Sequence, residues 1–168
     1  PVSEEDVGSG FSCGVPALDS FFEHHALDND RRGIGKTFVL RRPPGSQDLP
    51  LVLGYYSLSM ASVAASQLPA KVRRGLPRYP IPFALIGRLA VDKRAQGRKL
   101  GERLLGDALA RVLAVTDEVG CLGVVVDAKD AKAQAFYELY GFSTLAEEVA
   151  FPKRLYLLMK TIRAAFSK

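Results

Sequence analysis

Residues 85–126 change periodicity twice, and few folds accommodate the pattern. Leu85 to Val91 is a short apolar stretch interrupted by Arg88. From Leu100 onward, Leu104, Leu105, Ala108, Leu109, Val112 and Leu113 recur at helical spacing. That stripe predicts an amphipathic helix of roughly four turns. Gly120 is expected to end it, and Cys121 to Val126 is a continuous apolar run, as in a strand buried on both faces. A strand, a helix and a buried strand in this order make a βαβ unit, with parallel strands and a right-handed crossover.

The rest of the chain supplies the neighbours of that unit. The first ten residues are acidic and contain Gly and Ser, which predicts a loose lead-in. Asp19 to Leu27, after Pro16 and Leu18, places Phe21, Phe22 and Leu27 near helical spacing. Thr37–Leu40 reads as a strand, Pro43–Pro50 as a loop, and Leu51–Leu58 as the hairpin partner, with Gly54 a candidate bulge. Pro69–Pro82 suggests a short helix and then a surface loop. Lys129–Leu139 predicts a second helix and Arg154–Lys160 a last strand. The fold class is therefore α/β, with a mixed central sheet flanked by helices.

Length and composition fit one domain over residues 1–168: hydrophobic residues make up 48% and charged residues 24%. No stretch approaches the roughly 18 apolar residues of a membrane span. No basic segment followed by an apolar run opens the chain, so a cytoplasmic protein is expected. Cys13 and Cys121 show neither CxxC nor Cys/His spacing, so no metal is expected.

The net charge is +5. Its cations cluster at Arg31 and Arg32, at Lys71, Arg73, Arg74 and Arg78, and at Lys93, Arg94, Arg98 and Lys99, while acidic residues gather at 4–6 and 147–148. Such clusters suit a polyanion or the phosphates of a cofactor, and ordinary solvated charge is the plain alternative. Between the first parallel strand and its helix lies Arg94-Ala-Gln-Gly-Arg-Lys-Leu-Gly101. A loop there aims backbone N–H groups at one point by the positive end of a helix, a ready site for pyrophosphate. Two glycines at such a place also occur as plain turns. Gly33-Ile-Gly-Lys-Thr37 resembles the tail of a Walker A loop, but Asp30 stands where its first glycine belongs and a strand follows. A GxGxxG fingerprint is absent.

Leu89-Ala-Val-Asp92 followed by Gln96-Gly-Arg-Lys-Leu-Gly101 resembles the acyl-CoA motif of GNAT acetyltransferases (Q/R-x-x-G-x-G/A). Ala135-Phe-Tyr-Glu-Leu-Tyr-Gly-Phe142 resembles their second hallmark. Phe11–Phe21, Tyr55–Leu58, Leu76–Pro82 and Gly87–Asp92 are further similar to the GNAT toxins of bacterial toxin–antitoxin modules. The resemblance implies a splayed parallel pair, with acetyl-CoA lying along Leu89, Ala90 and Val91 and its pyrophosphate on Gln96, Gly97, Arg98, Lys99, Leu100 and Gly101. It implies that the acceptor is the α-amine of an aminoacyl-tRNA, and that acetylation stops translation. It also implies a ribbon–helix–helix antitoxin, a homodimer, and operator DNA bound only through the antitoxin complex. Lys99 departs from the branch, which usually has Gly there; its side chain would crowd the loop or bind a phosphate.

Tyr137 matches the family tyrosine that protonates the departing thiolate; a helix tyrosine that only packs is the alternative. Tyr140 shares its neighbourhood. No general base is evident, and His24 and His25 read as a solvated helix face. An α-amine, with a pKa of about 8 against about 10.4 for lysine, needs little help to attack. Arg73, Arg74, Arg78 and Arg88 are candidates for tRNA contact or active-site support, each also explicable as a solvated charge. Cys13, Cys121, Tyr55 and Tyr56 read as packing residues. Two other functions fit the same motifs: a GNAT acting on a small amine or a protein N-terminus, and a non-catalytic member working through protein or DNA contacts.

Overall fold

The computed structural model describes residues 1–145 and 149–168, so the acidic pair at 147–148 lies outside the described residues. In chain order the elements are α1 (Glu4–Val7), α2 (Pro16–His24), α3 (Ala26–Arg31), β1 (Lys36–Arg41), β2 (Val52–Val63), α4 (Ala70–Arg73) and β3 (Ile81–Val91). Then come α5 (Leu100–Val115), β4 (Gly123–Ala128), α6 (Ala131–Leu139), β5 (Ser143–Thr144), β6 (Lys153–Leu158) and α7 (Met159–Phe166). The strands form one mixed sheet of order β1-β2-β3-β4-β6-β5. The residues group into two compact units, Pro1–Ser59 with Gly87–Ala108, and Met60–Ile86 with Leu109–Lys168.

In the first unit, β1 and β2 pair antiparallel from Lys36↔Leu58 to Arg41↔Val52. The register shifts between Leu40 and Arg41, which face Gly54 and Val52, so Leu53 is the extra residue. The bulge thus falls beside the expected glycine. Gly54 is glycine for a further reason: a Cβ there would stand 2.7 Å from Leu104 Cδ1 and 2.8 Å from the Ala90 carbonyl oxygen. Tyr55 is wholly buried among Phe11, Phe21 and Phe22, with ring centroids 5.4, 6.3 and 4.7 Å away. Its hydroxyl donates to the Leu18 carbonyl at 2.8 Å. Burying these rings contributes apolar stabilisation to this core, and Tyr55 is the packing residue the sequence suggested.

The N-terminal segment is ordered, contrary to the expected loose lead-in. Ser3 and Asp6 form a capping box on α1, and Val2 is buried with its N–H donating to the Thr37 carbonyl at 3.0 Å. The Asp6 carboxylate is buried and accepts from Ser3 N and Oγ, both at 2.8 Å, and from Arg41 Nε at 2.8 Å. The helix expected over Asp19–Leu27 is instead two, α2 and α3, parted at His25, whose φ of −126° lies outside the helical region.

In the second unit, β3 and β4 run parallel over Phe83↔Gly123 to Ile86↔Val126, as the βαβ pattern requires. Val124, Val125 and Val126 are fully buried, which explains their unbroken apolar run. β6 covers the other edge of β4 antiparallel, from Gly123↔Leu158 to Ala128↔Lys153, and β5 pairs with β6. Asp130 caps α6 by accepting from Ala133 N at 2.8 Å. Several expected bounds move: β3 begins at Ile81, inside the expected surface loop, and α6 at Ala131 rather than Lys129. α5 stops at Val115, with turns and not helix before Gly120, and the last strand ends at Leu158, where α7 begins with Met159 and Ile162 buried.

Candidate active site

β3 delivers Leu89, Ala90 and Val91 to the head of the loop, beyond its four pairs with β4. The strand is closed off by Asp92, whose carboxylate is fully buried. Asp92 accepts from Ser12 N at 3.1 Å and from Arg94 N, Nε and Nη2, each at 2.9 Å. Burial alone would raise the pKa of this carboxyl, but the bonds from Arg94 and Ser12 more than compensate and hold it below the usual value. Gln96 adds a second tie: its Nε2 donates to the carbonyls of Cys13 and Val91, both at 3.1 Å. The side chain of Gln96 therefore fastens the loop to Cys13 and to the end of β3. Sequence reasoning passed over Asp92, Ser12 and Cys13 as parts of the site. The one readable signal was an Asp-x-Arg step directly after the strand, a pattern that makes an Asx turn.

Held in this way, the loop presents Gln96, Gly97, Arg98 and Lys99 to solvent. Gly97 has φ +83° and Lys99 φ 58°, both left-handed. Left-handed residues in a tight loop turn backbone N–H groups toward a common point, and α5 follows with the free N–H groups of its first turn. Lys99 is the sole described non-glycine residue with positive φ, a backbone conformation that glycine adopts at less cost. Its carbonyl accepts from Arg103 N at 3.2 Å, so it stands at the head of α5. Leu100 and Gly101 form the first turn and are half-buried. Arg98 and Lys99 are exposed and make no ion pair among the described residues. Arg94, by contrast, is committed to Asp92. A loop of this shape at the start of a 16-residue helix, with two exposed cations in it, suits an anion.

Arg88, also on β3, lies with its guanidinium carbon 3.6 Å from the centroid of Phe21. It is half-buried at the margin of the aromatic core, so packing accounts for part of its role. The rejected Walker-like segment is confirmed as something else: Lys36 opens β1 and donates to the carbonyl and carboxylate of Asp30 at 2.9 and 3.1 Å.

In the second unit, α6 carries Tyr137 inward. The residue is 6% exposed, between Phe136 and Phe142, whose centroids lie 5.2 and 5.6 Å away. Among the described residues none hydrogen-bonds its hydroxyl. Burial and then the negative charge of Asp127 push its phenol above the ordinary value, so it keeps its proton at neutral pH. Asp127 is held in turn by Arg154, Nε to Oδ1 at 2.9 Å and Nη2 to Oδ2 at 3.1 Å. Tyr140 ends α6 half-buried, edge-on to Phe136 at 5.2 Å. Lys71, Arg73, Arg74 and Arg78 are exposed on and after α4 and have no ion pair among the described residues. No group of three or more His, Cys, Asp or Glu side chains among the described residues is placed to hold a metal.

Comparison with known proteins gives this geometry a context. The model of the acetyltransferase (GNAT) domain matches residues 81–162. A tRNA-acetylating toxin of Mycobacterium tuberculosis (strain ATCC 25618 / H37Rv) is 38% identical over 163 residues, covering 97% of this chain and 92% of that protein. AtaT complexed with acetyl-methionyl-tRNAfMet superposes with a TM-score of 0.83 at 32% identity, over 93% of this chain and 89% of that one. AtaTR bound with acetyl-CoA gives 0.78 at 32% identity, over 94% and 90%. The AtaT–AtaR complex bound to DNA gives 0.74 at 29%, over 98% and 94%.

Proposed function

The chain belongs to the GNAT acetyltransferases, in the branch of the tRNA-acetylating toxins, and from this we propose that it transfers an acetyl group from acetyl-CoA to the α-amine of an aminoacyl-tRNA. The observation that carries the reading is the likeness to a tRNA-acetylating toxin over nearly the whole chain. A translating ribosome needs that amine free, so its acetylation blocks protein synthesis.

The residues fit the co-substrate. The cradle of Gln96–Gly101 backbone, with Arg98 and Lys99 above it, suits a pyrophosphate in charge and exposure. The backbone of Leu89, Ala90 and Val91 offers an extended edge for the pantetheine amides. Acetyl-CoA supplies the acetyl group as an activated thioester. Tyr137 holds a proton on its hydroxyl for the departing thiolate, and its raised pKa keeps that proton in place until it is needed. The acceptor is an α-amine with a pKa near 8, so enough of it is neutral at physiological pH to attack without a dedicated base.

Arg73, Arg74 and Arg78 contact tRNA phosphates, and Arg88 supports the acceptor side of the site. The chain acts as one domain, since it passes between the two units inside β2, β3 and α5. It works in the cytoplasm, where aminoacyl-tRNA is made. As a homodimer it is held by a ribbon–helix–helix antitoxin, and the complex, not the toxin alone, binds operator DNA. The AtaT–AtaR complex bound to DNA supports the antitoxin and DNA contacts of this reading. The test of the chemistry is Tyr137→Phe, which keeps the ring and removes the proton. Turnover should fall about 10²–10⁴-fold, with the affinity for acetyl-CoA and the melting temperature unchanged. Wild-type turnover would remove Tyr137 from the mechanism.

A further inference from the structure

Between Leu49 and Val91 the sequence contains no aspartate or glutamate but five cations, Lys71, Arg73, Arg74, Arg78 and Arg88. Inside this stretch, Tyr79 is 67% exposed, the most exposed aromatic side chain of the described residues. It has neither a ring contact nor a hydrogen-bond partner among them. The segment that bears it is anchored. Val72 and Leu76 pack against the core of Val63, Leu68, Ile81 and Phe83, and Leu76 N donates to the Arg73 carbonyl at 2.9 Å. Pro77 and Pro80 bracket Arg78 and Tyr79, and each fixes its own φ. A fastened backbone therefore holds a bare aromatic face in water, with Arg73, Arg74 and Arg78 unpaired nearby in sequence.

We propose that Tyr79 is a stacking platform for an unpaired nucleobase at the single-stranded 3′ end of the tRNA. A polyanion with aromatic faces fits cations and an exposed ring together, and unpaired nucleotides offer both. A duplex offers phosphates alone. The cations hold the strand by charge, while the ring reads that it is single-stranded, so that acceptor ends are engaged in preference to helical RNA. The inference rests on the tRNA reading above and adds a determinant of substrate class to it.

The chain contains no tryptophan, so Tyr79→Trp introduces a lone tryptophan, which can be excited selectively over the tyrosines. Deacylated tRNA should quench it on binding, whereas a blunt RNA duplex of equal length should bind through charge without quenching. Equal quenching by both would overturn the proposal, as would quenching by the antitoxin and not by tRNA. In parallel, Tyr79→Ala should raise the KM for aminoacyl-tRNA about tenfold to a hundredfold, with Tyr79→Phe within about twofold of wild type, as stacking predicts. The salt dependence of KM should be the same for Tyr79→Ala as for wild type, because no charge is lost. An unchanged KM for Tyr79→Ala overturns the platform. Should the wild-type protein fail to acetylate any aminoacyl-tRNA, the functional reading falls by itself, and the fluorescence titration still decides whether Tyr79 stacks.

Discussion

Replacing Asp92 by asparagine tests whether the carboxylate at the end of β3 sets the shape of the phosphate loop. The variant keeps the volume and removes the charge, and one of its two oxygens becomes an NH2 group. Whichever oxygen is lost, one backbone N–H and one guanidinium N–H lose their acceptor: Ser12 N with Arg94 Nη2, or Arg94 N with Arg94 Nε. The Arg94 side chain is half exposed and rehydrates, so its part of the cost is small. The stranded backbone N–H, in a site buried around a fully enclosed carboxylate, dominates at about 2 kcal/mol. For a chain of this length that is a fall in melting temperature of roughly 4–8 °C. The loop would also lose order ahead of Gly97 and Lys99, and reordering one or two residues on binding should weaken acetyl-CoA about tenfold. Thermal unfolding and calorimetric titration of acetyl-CoA on one preparation measure both quantities. A lower melting temperature with unchanged affinity would refute the link from Asp92 to the loop, and no change in either would refute its structural role as well.

Lys99→Gly relieves the left-handed strain at φ 58° but loosens the unfolded chain, so stability should rise by no more than about 1 kcal/mol. Its affinity for acetyl-CoA should fall and become less salt-dependent if the ammonium meets a phosphate; unchanged affinity at low salt would exclude that contact. Acid should destabilise the fold through Asp6, Asp19 and Asp92. In each, burial raises the pKa and hydrogen bonds outweigh it, from Arg41 and Ser3 at Asp6, from Cys13 and Ser12 at Asp19, and from Arg94 at Asp92. These folded-state values lie below the unfolded one, so the stability they contribute is present above about pH 4 and is lost as pH falls through the lowered values. Denaturant titrations of wild type and Asp6→Asn should converge at low pH and differ at neutral pH; parallel curves would contradict this.

The βαβ core was legible because each of its signals is local: a 3.6-residue stripe in α5 and an unbroken Val124-Val-Val126 run in β4. The hairpin bulge was legible to within one residue of Gly54, since the bulged residue proved to be Leu53. What failed was decided by tertiary partners. Ser3 and Asp6 looked like a polar tail until Arg41, far along the chain, closed over the carboxylate. The run Leu155–Met159 is apolar throughout, so nothing in it marks Leu158 as the change from strand to α7. At the site, the motif located the loop, and the departure at Lys99 was visible as a residue type. Its left-handed backbone was not visible, nor was the use of Gln96 as a tie to Cys13 and Val91. Burial of Tyr137 and the charge of Asp127 beside it depend on the sheet and could not be read from α6 alone.

The central claim concerns the acceptor, and mass spectrometry of aminoacyl ends tests it most directly. Total charged tRNA is incubated with the protein and acetyl-CoA, and the terminal aminoacyl-adenosines are released by nuclease and weighed. The account predicts that one or a few aminoacyl species gain a single acetyl group on the α-amine, and that Tyr137→Phe slows the gain. Aminoacyl ends left unmodified while a free amine or a protein N-terminus is acetylated would contradict it.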